Sequence, residues 1–178
     1  MLERRLASAA AILLVALSPF GGIALAEPLK SAAESAGLLG VWTTDCSKPP
    51  TAANPYISFE ATPTGGVNVV YENGPPNGSL LAVLESLSIV SPTTVAVRLR
   101  YSDPKWGKGN GNAFDMILEL KDGRKRTIRS ALMNGRLYIE DGINIVDGRP
   151  ATIQQRCVAK PIAYLPIREA AQGQVAQG

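Results

Sequence analysis

From residue 56 to residue 159 the chain is cut into short runs in which apolar and polar residues alternate, each ended by a turn signal. The clearest run covers residues 93–101, where Val95, Val97, Leu99 and Tyr101 fall on one side and Thr94, Ala96, Arg98 and Arg100 on the other. A period of two is what a strand with one buried face requires, and a helix of period 3.6 would scatter these residues around its circumference. Residues 113–121 repeat the pattern with Phe114, Met116, Leu118 and Leu120. Asp122-Gly123 and Asn134-Gly135 are hairpin dipeptides, so residues 113–121, 124–133 and 136–140 read as a three-stranded meander.

The remaining runs follow the same logic. Residues 56–61 and 67–72 flank Thr62-Pro63-Thr64-Gly65-Gly66 and form a hairpin, with Ile57 and Phe59 together on one face of the first and Val67, Val69 and Tyr71 together on one face of the second. Residues 80–90 read two ways, as a helical turn at the start or as a strand in which Leu87 and Ile89 alternate with serines. Residues 47–55 contain three prolines and are a loop, as is the segment 73–78. Residues 141–150 hold further turn signals around Ile143 and Ile145, and residues 151–159 supply a closing strand. The first strand is residues 40–46, with Trp42, Thr44 and Cys46 on one face. Before it, Leu29 to Ala36 predicts a helix of about two turns stopped by Gly37, lying across the barrel mouth. Eight or nine such strands with no long amphipathic helix predict an all-β, antiparallel barrel or sandwich.

The N-terminus carries Arg4 and Arg5, an apolar run from Ala9 to Leu17, and Ala24-Leu25-Ala26 before Glu27. These are the basic region, apolar core and small-residue cleavage site of a secretory signal. The apolar core falls short of the roughly 20 residues that span a bilayer. The expected organisation is a signal peptide over 1–26, a short helix and linker over 27–39, the barrel over 40–160, and a flexible tail over 161–178. The expected product is periplasmic or secreted, monomeric, and without a stable membrane span. In an oxidising compartment Cys46 and Cys157, the chain's two cysteines, are expected to form a structural disulfide. Closing a loop of that length contributes about 4–5 kcal/mol in the chain-entropy description.

Charge and composition exclude several functions. The chain has 18 Lys and Arg against 15 Asp and Glu; without Arg4, Arg5 and Glu3 the balance is 16 to 14, a net of +2. Basic residues alternate with acidic ones, so no stripe tracks a phosphate backbone and nucleic-acid binding is not expected. There is no histidine. A Ser-His-Asp or Cys-His relay cannot be assembled, and the usual zinc, copper and iron sites lose their commonest ligand. Glu140 and Asp141 point to opposite sides of a strand and do not make an acid–base pair. The expectation is a protein without enzymatic activity, cofactor or metal.

A short helix, Gly40-Val41-Trp42 at the start of the first strand, meandering antiparallel strands, and a last strand bearing Arg156 and Cys157 together resemble the lipocalin-type (calycin) barrel. The resemblance implies an eight- or nine-stranded barrel in which the tryptophan plugs one end and a basic residue of the last strand packs beside it. That gives Gly40, Trp42 and Arg156 structural roles. If Cys46 and Cys157 instead face each other across extended first and last strands, Trp42 stands opposite Pro161 and Arg156 points away from it, leaving Arg126 or Arg129 as substitutes. A second resemblance is to the small periplasmic inhibitors of secreted bacterial metalloproteases, similar barrels whose one disulfide is local, unlike the long-range pair here.

Trp106 is the other aromatic of interest. With Lys105, Lys108 and Asn110 it sits in a polar, glycine-rich loop where an indole flanked by two lysines suits an anionic, carbohydrate or protein partner. A tryptophan folded back over the barrel rim remains an equal reading. The leading expectation is a binding protein for a small apolar molecule held in the barrel, or for a partner at its mouth. The alternative is a protease inhibitor or envelope-interaction protein working through loops. If Val95, Val97, Leu99, Phe114, Met116, Leu118 and Leu120 fill the interior, the second wins.

Overall fold

The computed structural model of the chain describes residues 28–102 and 113–158. Among these, ten strands form one antiparallel sheet: β1 (Gly40–Thr43), β2 (Tyr56–Ala61), β3 (Val67–Glu72), β4 (Ser79–Ser91), β5 (Thr94–Tyr101), β6 (Ala113–Lys121), β7 (Arg124–Leu132), β8 (Leu137–Glu140), β9 (Ile143–Asn144) and β10 (Ile153–Cys157). Neighbours pair in the order β10-β1-β2-β3-β4-β5-β6-β7-β8-β9, and β10 also pairs with β7. That pairing closes eight strands into a barrel and leaves β8 and β9 as an appended ribbon. Closure removes the open edges of a flat sheet.

The alternation predicted from sequence produces the core. Val95, Val97 and Leu99 of β5, Phe59 of β2, Val69 of β3 and Leu118 of β6 meet inside the barrel. The ambiguous run 80–90 is entirely strand. Its register against β5 slips between Leu84 and Ser86, so Ala82 and Leu84 face inward before the bulge and Leu87 after it. Asp122 and Gly123 both adopt positive φ, 52° and 69°, as a two-residue hairpin of the mirror-image turn type demands.

One end of the barrel is closed by helix α1 (Leu29–Ser35). Gly37 stops it at φ 68°, and Ala33 and Leu38 drop into the core. Lys30 N donates to Gly65 O at 2.9 Å, fixing the helix to the β2–β3 turn.

The first strand is shorter than expected. Extended structure stops at Thr43, because the chain turns at Thr44–Asp45 and folds back over the outer face of β1 and β2. Asn54 organises this loop. Its Oδ1 accepts from Thr43 Oγ1 (2.8 Å), Thr44 Oγ1 and Asp45 N (3.0 Å), and its Nδ2 donates to Asp45 O at 3.1 Å. The Tyr56 hydroxyl donates to Lys48 O at 2.7 Å. The Ser47 hydroxyl and then the Lys48 ammonium hold the Asp45 carboxyl down at about 2.

The loop carries Cys46 to Cys157, with Cα atoms 5.7 Å apart. The disulfide therefore forms from a turn onto β10, and the cysteines are not cross-strand partners. The register between β1 and β10 is Val41 opposite Cys157, Trp42 opposite Arg156 and Thr43 opposite Gln155. The expectation that Trp42 faces Pro161 is wrong, since it assumed an extended chain as far as Cys46.

Candidate functional site

The interior is not filled. A cavity of about 460 Å³, partly open to solvent, lies between the barrel wall and the segment 144–152. That volume falls in the range of small-molecule sites. Ile57, Phe59, Leu99, Met116 and Leu118 make its apolar wall.

The cavity exists because β7 leaves the barrel wall. Arg124–Arg126 pair with β10, but an extra residue, Ile128, interrupts the β6 register between Ile117 and Leu118, and the strand's second half pairs with β8 instead. The gap is covered by the segment running through β9 to Thr152. Gly142 N donates to Ile128 O at 2.8 Å, and Ala151 N to Gly142 O at 2.7 Å, so the bulge carbonyl anchors the covering strap. Asn144, Asp147 and Arg149 on that strap border the cavity and give it a polar side.

Four aromatic rings from β3, β5, β6 and β8 form a row. Tyr71, Tyr101, Phe114 and Tyr138 follow one another at centroid spacings of 5.6, 5.5 and 5.6 Å, each pair tilted or edge-on. Arg136 lies over the Tyr138 ring at 5.2 Å and continues the row. Burial raises the pKa of Tyr71 and Tyr101, and the nearby Tyr101 hydroxyl holds the Tyr71 proton further, so both phenols stay neutral at physiological pH.

Lys125 is the unexpected member of the site. It is 5% exposed and borders the cavity, with its Nζ 4.8 Å from the Phe59 ring centroid and 5.5 Å from that of Trp42. Its neighbours across the sheet are Leu120 on β6 and Gln154 on β10. Gln154 is also buried and also lines the cavity. Desolvation is the cause that lowers the Lys125 pKa, to about 7. Sequence reasoning looked to Arg126 and Arg129 for the cation near Trp42; both lie on the outer face, paired with Glu119 at 3.1 Å and Glu140 at 3.6 Å. A signal was available: pairing across the two-residue turn Asp122-Gly123 sets Lys125 opposite Leu120, and Leu120 was already read as inward-facing.

Trp42 is 2% exposed, and its Nε1 donates to Leu38 O at 2.8 Å, joining the strand to the end of the helix segment. Arg156, exposed and opposite Trp42, lies on Gly40: a Cβ there would stand 3.1 Å from the Arg156 Nε, and Gly40 has φ 120°. Gly40, Trp42 and Arg156 therefore meet at the β1–β10 seam, with Lys125 on the inner side of the indole. Lys105, Trp106, Lys108 and Asn110 lie outside the described residues. The 73–78 loop packs away from the cavity, against Pro50, whose carbonyl oxygen would be 2.1 Å from a Cβ on Gly74. Among the described residues no helix is long and apolar enough to cross a membrane. Comparison with family models, with curated proteins and with solved structures finds no match to this chain.

Proposed function

We propose that the protein is an exported binding protein that holds a small, largely apolar molecule inside its barrel. The observation that carries this reading is the 460 Å³ cavity, apolar on the barrel side and polar along the strap. Such a combination retains a ligand by burial and orients it with a few polar groups. Export is supported by the signal-like N-terminus and by the Cys46–Cys157 disulfide, which persists in oxidising compartments.

Native mass spectrometry of the protein purified from its own cell envelope, with mild activation, tests the proposal. The expected result is a reproducible small-molecule adduct that is lost in Met116→Trp, where an indole takes up cavity space. A clean apo mass, together with no enhancement of an apolar fluorescent probe such as N-phenyl-1-naphthylamine, would overturn it.

A second reading has one observation in its favour. Ile143, Ile145 and Val146 are all exposed on the strap, Val146 at 77%, which suits contact with a partner protein in the envelope. Crosslinking from position 146 in intact envelopes should then capture a discrete protein that Val146→Asp releases.

A further inference from the structure

The inner side of the cavity holds a cation with no ion pair among the described residues, and the acid that shares the cavity wall, Asp147 on the strap, has its Oδ1 taken by Arg149 N at 3.0 Å. Among the described residues Lys125 has neither an ion pair nor a hydrogen bond; its contacts are the faces of Trp42 and Phe59. The carboxylates of the strands beside β7 are engaged elsewhere: Asp115 with Arg98 at 2.7 Å, Glu119 with Arg126 at 3.1 Å, and Glu140 with Arg129 at 3.6 Å. Beside Lys125 in the sheet, the buried Gln154 side chain borders the same cavity. A buried charge is ordinarily paired, and a buried amide ordinarily bonded. An ammonium with no ion pair among the described residues and a buried amide beside it, on the wall of one cavity, describe a receptor for an anionic group.

We propose that the ligand is a single-chain amphiphile bearing one carboxylate, received by the Lys125 ammonium and the Gln154 amide, with its alkyl tail along Phe59, Leu99 and Met116. The assignment rests on the binding reading above and adds the chemical class of the ligand. A carboxylate offers two acceptor oxygens, one for the ammonium and one for the amide, and its single charge matches a single cation. A phosphate dianion would bring a second charge into the barrel at a further desolvation cost, and the cavity's other cation, Arg149, shares the strap with the Asp147 carboxylate that offsets it. A cationic head group would face repulsion from Lys125 and lose the site altogether. Burial has already lowered the Lys125 pKa to about 7, and an entering carboxylate raises it again by restoring the counter-charge.

The test compares three probes that share a tail and differ at the head: decanoate, 1-decanol and decyltrimethylammonium, each displacing N-phenyl-1-naphthylamine from the purified full-length protein at pH 6.5. Decanoate is expected to bind about tenfold or more tighter than 1-decanol, the yield of one charge-assisted pair over a neutral contact, and the ammonium compound weakest. In Lys125→Met the acid alone should weaken, bringing decanoate and 1-decanol within about threefold of each other. Retained 1-decanol binding in that variant shows that the cavity is still formed. Equal binding of decanoate and 1-decanol by the unmodified protein, or an acid preference that survives Lys125→Met, would overturn the head-group assignment while leaving the cavity a binding site. Failure of all three probes would instead remove the binding reading, and this inference with it.

Discussion

Replacing Lys125 by methionine should stabilise the protein, although it deletes a buried side chain's contacts. In the folded state the ammonium is depressed from 10.5 to about 7 by desolvation. At about 1.36 kcal/mol per pKa unit, the charged form carries a burial cost of roughly 5 kcal/mol. The Trp42 and Phe59 faces return part of that, about 1–2 kcal/mol in a desolvated setting. Methionine has a similar length, fills the same space and has no charge to desolvate. The net gain at pH 6 is then about 2–4 kcal/mol, or roughly 6–15 °C in the midpoint of a thermal melt for a domain of this size.

The pH dependence gives the sign independently. Between pH 7 and 10.5 the unfolded chain keeps the Lys125 proton and the folded chain has lost it, so the stability of the unmodified protein rises with pH across that window. Below pH 7 both states are protonated and this contribution is constant. Raised phenol pKa values at Tyr56, Tyr71 and Tyr101 act oppositely, but only as pH passes the unfolded value of 10. The charged groups around the outer side of Lys125 are Glu119, Lys121, Asp122, Arg124 and Arg126, a set with no net negative charge to hold its proton. Guanidinium unfolding of ligand-free protein at pH 6 and pH 9.5 is the assay. The unmodified protein should gain stability between the two and Lys125→Met should not. A variant no more stable than its parent at pH 6, with parallel pH profiles, would refute the account of Lys125 as a buried and unpaired cation.

Three further outcomes are expected. Reducing Cys46–Cys157, or replacing both cysteines by alanine, should cost up to about 4–5 kcal/mol in chemical denaturation because the bond closes a separation of 111 residues. Asn54→Ala should cost about 2–4 kcal/mol in the same assay, since it strands the Thr43 hydroxyl, the Asp45 amide and several loop carbonyls at once. Gly74→Ala should be far worse than Gly123→Ala, although both positions have positive φ. The first drives a methyl to 2.1 Å from the Pro50 carbonyl oxygen, while the second meets nothing within 4 Å and should cost about 1 kcal/mol in thermal melts.

The contrast between β5 and β4 shows what made the fold legible. β5 runs without interruption, so Val95, Val97 and Leu99 announced its inward face. In β4 the bulge between Leu84 and Ser86 changes the parity of the inward positions, and a broken period of two resembles part of a helix. β7 hides its site residue for a related reason. Its opening residues, Arg124-Lys125-Arg126-Thr127, contain no apolar member to mark a face, and the bulge at Ile128 then reverses the parity. The cavity was illegible because it results from the departure of β7 from β10, a tertiary event encoded by that one bulge and its bond to Gly142. The disulfide pairing was readable from two cysteines, but its geometry was not, because the turn after Thr43 is held by Asn54 from across the loop.

The seam where β10 meets β1 and β7 also sets the order in which the chain can become a barrel. Among the described residues β10 is the last strand, and its partner β1 is the first. A ribosome or translocon releases β1 through β9 before the strand that joins them exists. Until then β1 and β7 both present unpaired edges, and the cavity has no floor on the β10 side. The barrel therefore cannot close until β10 has been released, and only then can Cys157 meet Cys46 beside the β1–β10 seam. The same arrangement means that a chain cut short by even its last barrel strand yields an open sheet, suited to pairing with other chains, and not a smaller version of the same container.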